Sequence, residues 1–166
     1  MGEVFFTADT HFGHRNIIAY ANRPFASVEE MDEVLIERWN ERVRPHDVVY
    51  HLGDFSLTRG PRTGEILGRL HGEIHIVWGN HDRPAYAIRE RFASCHDYLQ
   101  ITVEGQFIVC FHYALRVWNK SHRGSWQRST GTATAPSLTT PTPGRWTWAS
   151  TATTSTRSPT TRWHST

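Results

Sequence analysis

The sequence predicts an α/β fold that turns antiparallel towards its end, and three observations carry that expectation. Short apolar runs alternate with stretches of helical periodicity as far as Phe92. Each apolar run stops abruptly at a polar cluster built from Asp, His or Asn. From Asp97 two further apolar runs are separated only by Glu104-Gly105-Gln106, the pattern of a hairpin.

The first run, Val4 to Ala8, is short enough for a buried strand and too short for a helix. A helix follows from about Val28 to Val43, because Val28, Met31, Leu35, Trp39 and Val43 recur every three or four residues. Ser27 with Glu30 three positions later forms a capping box at its start. Val48 to Leu52 is the second strand, and a helix is expected around Gly64 to Leu70. Ile74 to Trp78 is the third strand, followed by a helix over Pro84 to Phe92 with Pro in its opening position. Tyr98 to Val103 and Phe107 to Phe111 form the hairpin.

Composition agrees with one folded unit. The 166 residues are 38% hydrophobic and 20% charged, ordinary values for a globular chain. Cys95 and Cys110 lie in apolar surroundings without C-x-x-C spacing, which favours reduced thiols over a disulfide or a zinc finger. The start of the chain lacks a basic stretch with a long apolar run, and no segment approaches the length of a membrane span. A cytoplasmic location without membrane contact is the expectation.

The polar clusters are Asp9-Thr10-His11, Gly53-Asp54, Gly79-Asn80-His81-Asp82 and His112. Carboxylate, imidazole and amide oxygen suit borderline-hard divalent cations such as Mn, Fe or Zn. A lone Asp after a strand is commonly a turn or cap residue, and a lone His commonly a core or surface residue. Four such clusters at four strand ends call for a shared purpose, because in open α/β sheets that edge binds ligands.

In this order, D-T-H, G-D, G-N-H-D and a single His before Tyr, the clusters resemble the calcineurin-like metallophosphoesterases. The stretch His11-Phe12-Gly13-His14-Arg15-Asn16-Ile17-Ile18 is similar to a bacterial branch of that family. The likeness runs from about Val4 to Trp126. It implies a sandwich of two mixed β-sheets flanked by helices, and two divalent metal ions, manganese favoured.

The resemblance further implies that Asp9 and His11 hold one metal, Asn80 and His112 the second, and that Asp54 bridges them. A hydroxide shared by the metals would attack a phosphomonoester or phosphodiester, with both cations balancing the charge that develops. His81 would face the phosphate and protonate the leaving oxygen. For Asp82 two roles stay open, orienting His81 or capping the helix at Pro84. His14, Arg15 and Asn16 could contact substrate phosphate or be loop residues. Trp118, Asn119 and Lys120 read better as loop residues than as substrate contacts. A nucleotide or nucleic acid substrate is allowed by these residues without being indicated, and oligomeric state is unmarked.

After Trp126 the character changes. Residues 127–166 hold fourteen Thr and six Ser, and no Asp, Glu, Lys, Ile, Val, Phe or Tyr. This sets a domain over 1–126, of net charge −2, apart from a basic tail over 127–166. The tail reads as a disordered Ser/Thr/Pro segment, an interaction arm, or an out-of-frame translation. The resemblance calls for G-H-x-H here, with two further His ligands, and the chain has none. Every Thr codon begins with AC, so a frame starting one nucleotide earlier reads Tyr, His, Asn or Asp at each Thr. Over Thr130 to Ala135 that shift permits Tyr-Gly-His-Gly-His-Gly. Beside Trp, which has one codon, the shift is firm: Thr147 becomes Asp and Ala149 becomes Gly. The expectation is a frameshift near Gln127 or Arg128, with the fold incomplete at its C-terminus and the alternative of a noncatalytic metal- or phosphate-binding domain.

Overall fold

The computed structural model describes residues 2–123, 125–129 and 147–148, the last pair by backbone alone. Two β-sheets form the centre. The first has the order β4 (Ser94–His96), β3 (Glu73–Val77), β2 (Val48–His51), β1 (Val4–Thr7) and β8 (Thr147–Trp148). Its described pairs are all parallel, because the chain between β1, β2, β3 and β4 crosses back through helical segments. The second has the order β5 (Leu99–Val103), β6 (Gln106–Cys110) and β7 (Trp126–Arg128). It is the mixed one, with β5 antiparallel and β7 parallel to β6.

The pleat sorts the apolar residues of the first sheet between two cores. Phe5, Val49, Ile74 and Ile76 face the helical side with Met31, Leu35, Trp39, Ile66 and Phe92. Phe6, Leu52 and Val77 face the other way, against Ile108 and Cys110 of the second sheet. The two sheets therefore pack through apolar side chains, and burial of each large one is worth about 1.5–3 kcal/mol.

Helix α2 (Val28–Arg42) follows its sequence signal closely. Ser27 Oγ accepts from Glu30 N at 3.1 Å, and Glu30 Oε2 accepts from Ala26 N at 2.7 Å. Between β5 and β6, Glu104 and Gly105 both have positive φ, 48° and 79°, the backbone that a two-residue hairpin needs.

Several boundaries differ from expectation. The helix expected at 64–70 is α3 (Gly60–Leu67), which starts earlier because Pro61 fits its first turn. The helix expected over 84–92 divides into α4 (Arg83–Tyr86) and a 3₁₀ turn (Arg89–Arg91), since Ile88 leaves helical backbone at φ −123°. Helix α1 (Arg15–Tyr20) and strand β4 had no clear periodic signal. The expected disordered tail falls outside the described residues, except that Gln127 and Arg128 belong to β7 and Thr147 and Trp148 pair with β1. No described helix is long and apolar enough to cross a membrane.

Candidate metal centre

At the end of the first sheet two loops continue the pairing of β1 and β2. Leu52 N donates to Thr7 O at 2.8 Å, Asp9 N to Gly53 O at 3.0 Å, His11 N to Asp54 O at 2.9 Å and Phe12 N to Phe55 O at 2.9 Å. Three of the expected ligands, Asp9, His11 and Asp54, have φ of 54°, 53° and 57°. Left-handed backbone at residues with a side chain costs free energy and persists only where surrounding contacts over-determine it. Alternating that backbone with ordinary backbone turns Asp9, His11 and Asp54 towards one point.

Their potential ligand atoms lie within 4.8 Å of one another. His11 Nε2 is 3.9 Å from Asp9 Oδ1 and 3.7 Å from Asp54 Oδ2. On the far side, His112 Nε2 is 3.6 Å from Asp54 Oδ1 and 3.2 Å from Asn80 Oδ1. The two oxygens of Asp54 thus face opposite halves of the site. His112 Nδ1 donates to Leu52 O at 2.8 Å, which turns Nε2 towards Asn80 and Asp54. Three potential ligand atoms converging in this way suit a cation.

The electrostatics agree. Burial, then the neighbouring Asp54, raises the Asp9 carboxyl to about 6. Burial lowers His11 to about 4 even though Asp54 pulls the other way. Neutral imidazole is the form that ligates metal. His11 Nδ1 is buried with no hydrogen-bond partner among the described residues. The donor set therefore fits divalent cations, with Asp9, His11 and Asp54 on one side and Asp54, Asn80 and His112 on the other.

Two glycines make room for this packing. A Cβ on Gly53, whose φ is 93°, would collide with His112 Nδ1, and one on Gly79 would collide with the Asp54 carboxylate. His81 donates its backbone N–H to Asp54 Oδ1 at 3.0 Å while its side chain is exposed. Its ring centroid lies 5.7 Å from that of His11 and 6.1 Å from that of His14, so three imidazoles line the mouth. Arg15 and Asn16 open α1 as exposed residues and are not bonded to this cluster.

The cap role for Asp82 does not match the contacts, because its side chain makes no cap bond to α4. It is buried and accepts three backbone N–H groups, from Asp54 at 2.8 Å, Phe55 at 2.6 Å and Gly79 at 2.7 Å. It ties the second and third ligand loops together. Trp118 and Asn119 are bonded within the loop and to Gln100, and Lys120 lies 4.2 Å from the Phe107 ring centre, which supports their reading as loop residues.

Three supporting residues escaped the sequence reading. Arg23 is buried and donates to Asp9 O at 2.7 Å and Thr10 O at 2.9 Å, holding the first ligand loop in its left-handed turn. Asp32 reaches from α2 to accept Gly13 N at 2.9 Å. His51 is fully buried, with Nε2 3.0 Å from Thr10 Oγ1, and Thr10 in turn donates to Phe55 O at 2.9 Å. A His inside the apolar run Val48 to Leu52 was the available signal for His51.

Burial drives His51 from 6.5 to about 3. Because the folded value lies below the unfolded one, the unfolded chain binds more protons in that window. The stability is present above pH 6.5 and falls as pH drops, by about 1.4 kcal/mol per unit. Urea unfolding between about pH 7 and pH 5 should show His51→Gln losing stability less steeply than the parent, by a difference that approaches one proton at the acid end. Equal slopes would show that His51 is not the group that charges on unfolding.

Fold and site together define a class: an α/β sandwich whose strand ends gather Asp, His and Asn donors around one shared carboxylate. The model of the calcineurin-like phosphoesterase superfamily domain matches residues 3–136, and the chain belongs to that superfamily. An uncharacterised protein of Methanocaldococcus jannaschii is 48% identical over 85 residues, covering 50% of this chain and 48% of that one. The gene 66 protein of Mycobacterium phage D29 is 39% identical over 89 residues, covering 51% of this chain and 42% of its own length. A protein of unknown function from Aquifex aeolicus has a similar solved structure, with a TM-score of 0.59 at 31% identity over 68% of this chain and 61% of that one. The chain spans about half the length of the curated relatives it matches.

Proposed function

We propose that this chain derives from, and is built as, a divalent-metal phosphoesterase acting on a phosphomonoester or phosphodiester. The observation that carries the reading is the Asp54 carboxylate, one oxygen towards His11 and the other towards His112. Asp9, His11 and Asp54 would hold one cation and Asp54, Asn80 and His112 the other, manganese being the ion we favour. When bound, such a pair supplies Lewis acidity and lowers the pKa of water.

The chain's own groups do the rest. Asp54 sets the spacing of the two halves, and Asn80 offers a neutral oxygen that leaves the charge of the cations undiminished. His81, exposed at the mouth, would pass a proton to the leaving oxygen. His14, half-buried beside it, would face the phosphoryl group, with Arg15 and Asn16 at the rim. Asp82 acts through the backbone, by fixing the loops that carry Asp54 and Asn80. Two free thiols, Cys95 and Cys110, support a reducing cytoplasmic setting.

We also read residues 127–166 as out of frame, from a frameshift near Gln127 or Arg128, on the missing G-H-x-H and the constrained codons beside Trp146 and Trp148. Each half of the site then lacks one imidazole, which weakens metal binding and turnover. The test is hydrolysis of a nitrophenyl phosphodiester with added Mn²⁺, by this chain and by one with the reading frame restored. The restored chain should turn over at least 100-fold faster and lose that activity in EDTA. Metal binding without turnover in either chain would instead favour a noncatalytic binding domain.

A further inference from the structure

Beside the metal centre lies a cavity of about 530 Å³ lined by Trp78, Gly79, Arg83, Tyr86, Arg89 and Asp97. It shares the Gly79–Asp82 loop with the site, so a phosphoryl group held at Asn80 and His81 has the rest of its molecule within reach of it. The volume lies in the range of small-ligand pockets. Its wall is aromatic: Trp78 and Tyr86 are 5.0 Å apart between ring centres, tilted by 48°. Phe92 buttresses Trp78 edge-on at 6.0 Å and 83°.

The charge on this wall is unspent. Arg83 and Arg89 are exposed and form no ion pair among the described residues, although Asp97 lines the same cavity. The Arg89 guanidinium lies 5.3 Å from the Tyr86 ring centre, which restrains it along the wall. A tilted aromatic pair beside two guanidinium groups that form no ion pair among the described residues suits a flat aromatic ligand that carries phosphate, because base–aromatic stacking and Arg–phosphate pairing are both available. Asp97 adds an acceptor for an amino or hydroxyl donor.

We propose that this cavity binds the nucleoside part of a nucleotide, making the phosphate ester handled by this chain a nucleotidyl one. The proposal rests on the phosphoesterase reading above. The base lies against Trp78 and Tyr86, Arg83 and Arg89 flank the phosphate side, and Asp97 meets a polar edge of base or ribose.

The test is calorimetric binding of AMP and of ribose 5-phosphate to the full chain in EDTA, where metal plays no part. AMP should bind at least tenfold more tightly than ribose 5-phosphate. Tyr86→Ala, at a half-exposed position, should bring the two within threefold, and Arg89→Gln should weaken both. Trp78 packs against the core, so it is not the position on which to rely. Equal binding of AMP and ribose 5-phosphate, or an undiminished preference for AMP in Tyr86→Ala, would overturn the proposal. A failure of Mn²⁺-dependent hydrolysis would leave this binding difference intact, so the two readings fail separately.

Discussion

Asp54→Asn should abolish the stabilisation by Mn²⁺ while leaving the metal-free fold as stable as the parent or more so. The two effects have opposite signs for one reason. In the metal-free protein Asp54 is buried and raises the Asp9 carboxyl, so removing its charge relieves repulsion. Asn keeps the oxygen that accepts from His81 N and tolerates the left-handed backbone of this position. With cations present, the same change removes the one anionic group facing both halves of the site. Loss of such a ligand weakens binding by about 100-fold or more, equivalent to about 2.7 kcal/mol. In thermal melts the parent should gain stability as Mn²⁺ is added, and the variant should not. Nitrophenyl phosphodiester turnover, where the parent shows it, should vanish in the variant. An equal Mn²⁺ response in both proteins would remove Asp54 from the metal centre.

The parts of this molecule that were legible in its sequence are those set by local pattern. Val4 to Ala8, Val48 to Leu52 and Ile74 to Trp78 announced strands because each is a short apolar run that stops at a polar cluster. The Ser27 and Glu30 box announced the start of α2 to the residue. The first three polar clusters are brought together because the parallel strands β1, β2 and β3 end on one edge, and His112 joins them from the end of β6 in the second sheet.

What was not legible depends on partners supplied by the fold. Strand β4 reads Ser94-Cys95-His96, with one apolar residue between two polar ones, and forms because it registers against His75 to Val77. Arg23 looks like a loop residue before Pro24, and its burial makes sense only beside the carbonyls of Asp9 and Thr10. Left-handed backbone at Asp9, His11 and Asp54 suits their residue types only weakly, and it is imposed by the zipper between two loops. Supporting residues are therefore the hardest class to read from sequence. They are chosen for backbone groups that come from elsewhere in the chain.

Asp82→Ala follows from the same point and carries the largest expected effect on stability. Its carboxylate receives the N–H groups of Asp54, Phe55 and Gly79, all in buried or half-buried backbone. Alanine recovers the cost of burying the carboxylate, which is real, because burial raises its pKa although the three N–H groups lower it. It also leaves three donors without their acceptor, at about 1–3 kcal/mol each. Partial rescue by water reduces the sum, and a net loss of about 3–5 kcal/mol is expected, a large share of the 5–15 kcal/mol typical of a domain. A cap role predicts something different: Asn would replace Asp almost without loss, since both are good caps. With three donors converging, Asn must turn its NH₂ towards at least one N–H, so Asp82→Asn should also destabilise, by about 2 kcal/mol. Urea unfolding of parent, Asp82→Asn and Asp82→Ala should therefore give a graded series. An Asn variant equal to the parent would return Asp82 to the role of a helix cap.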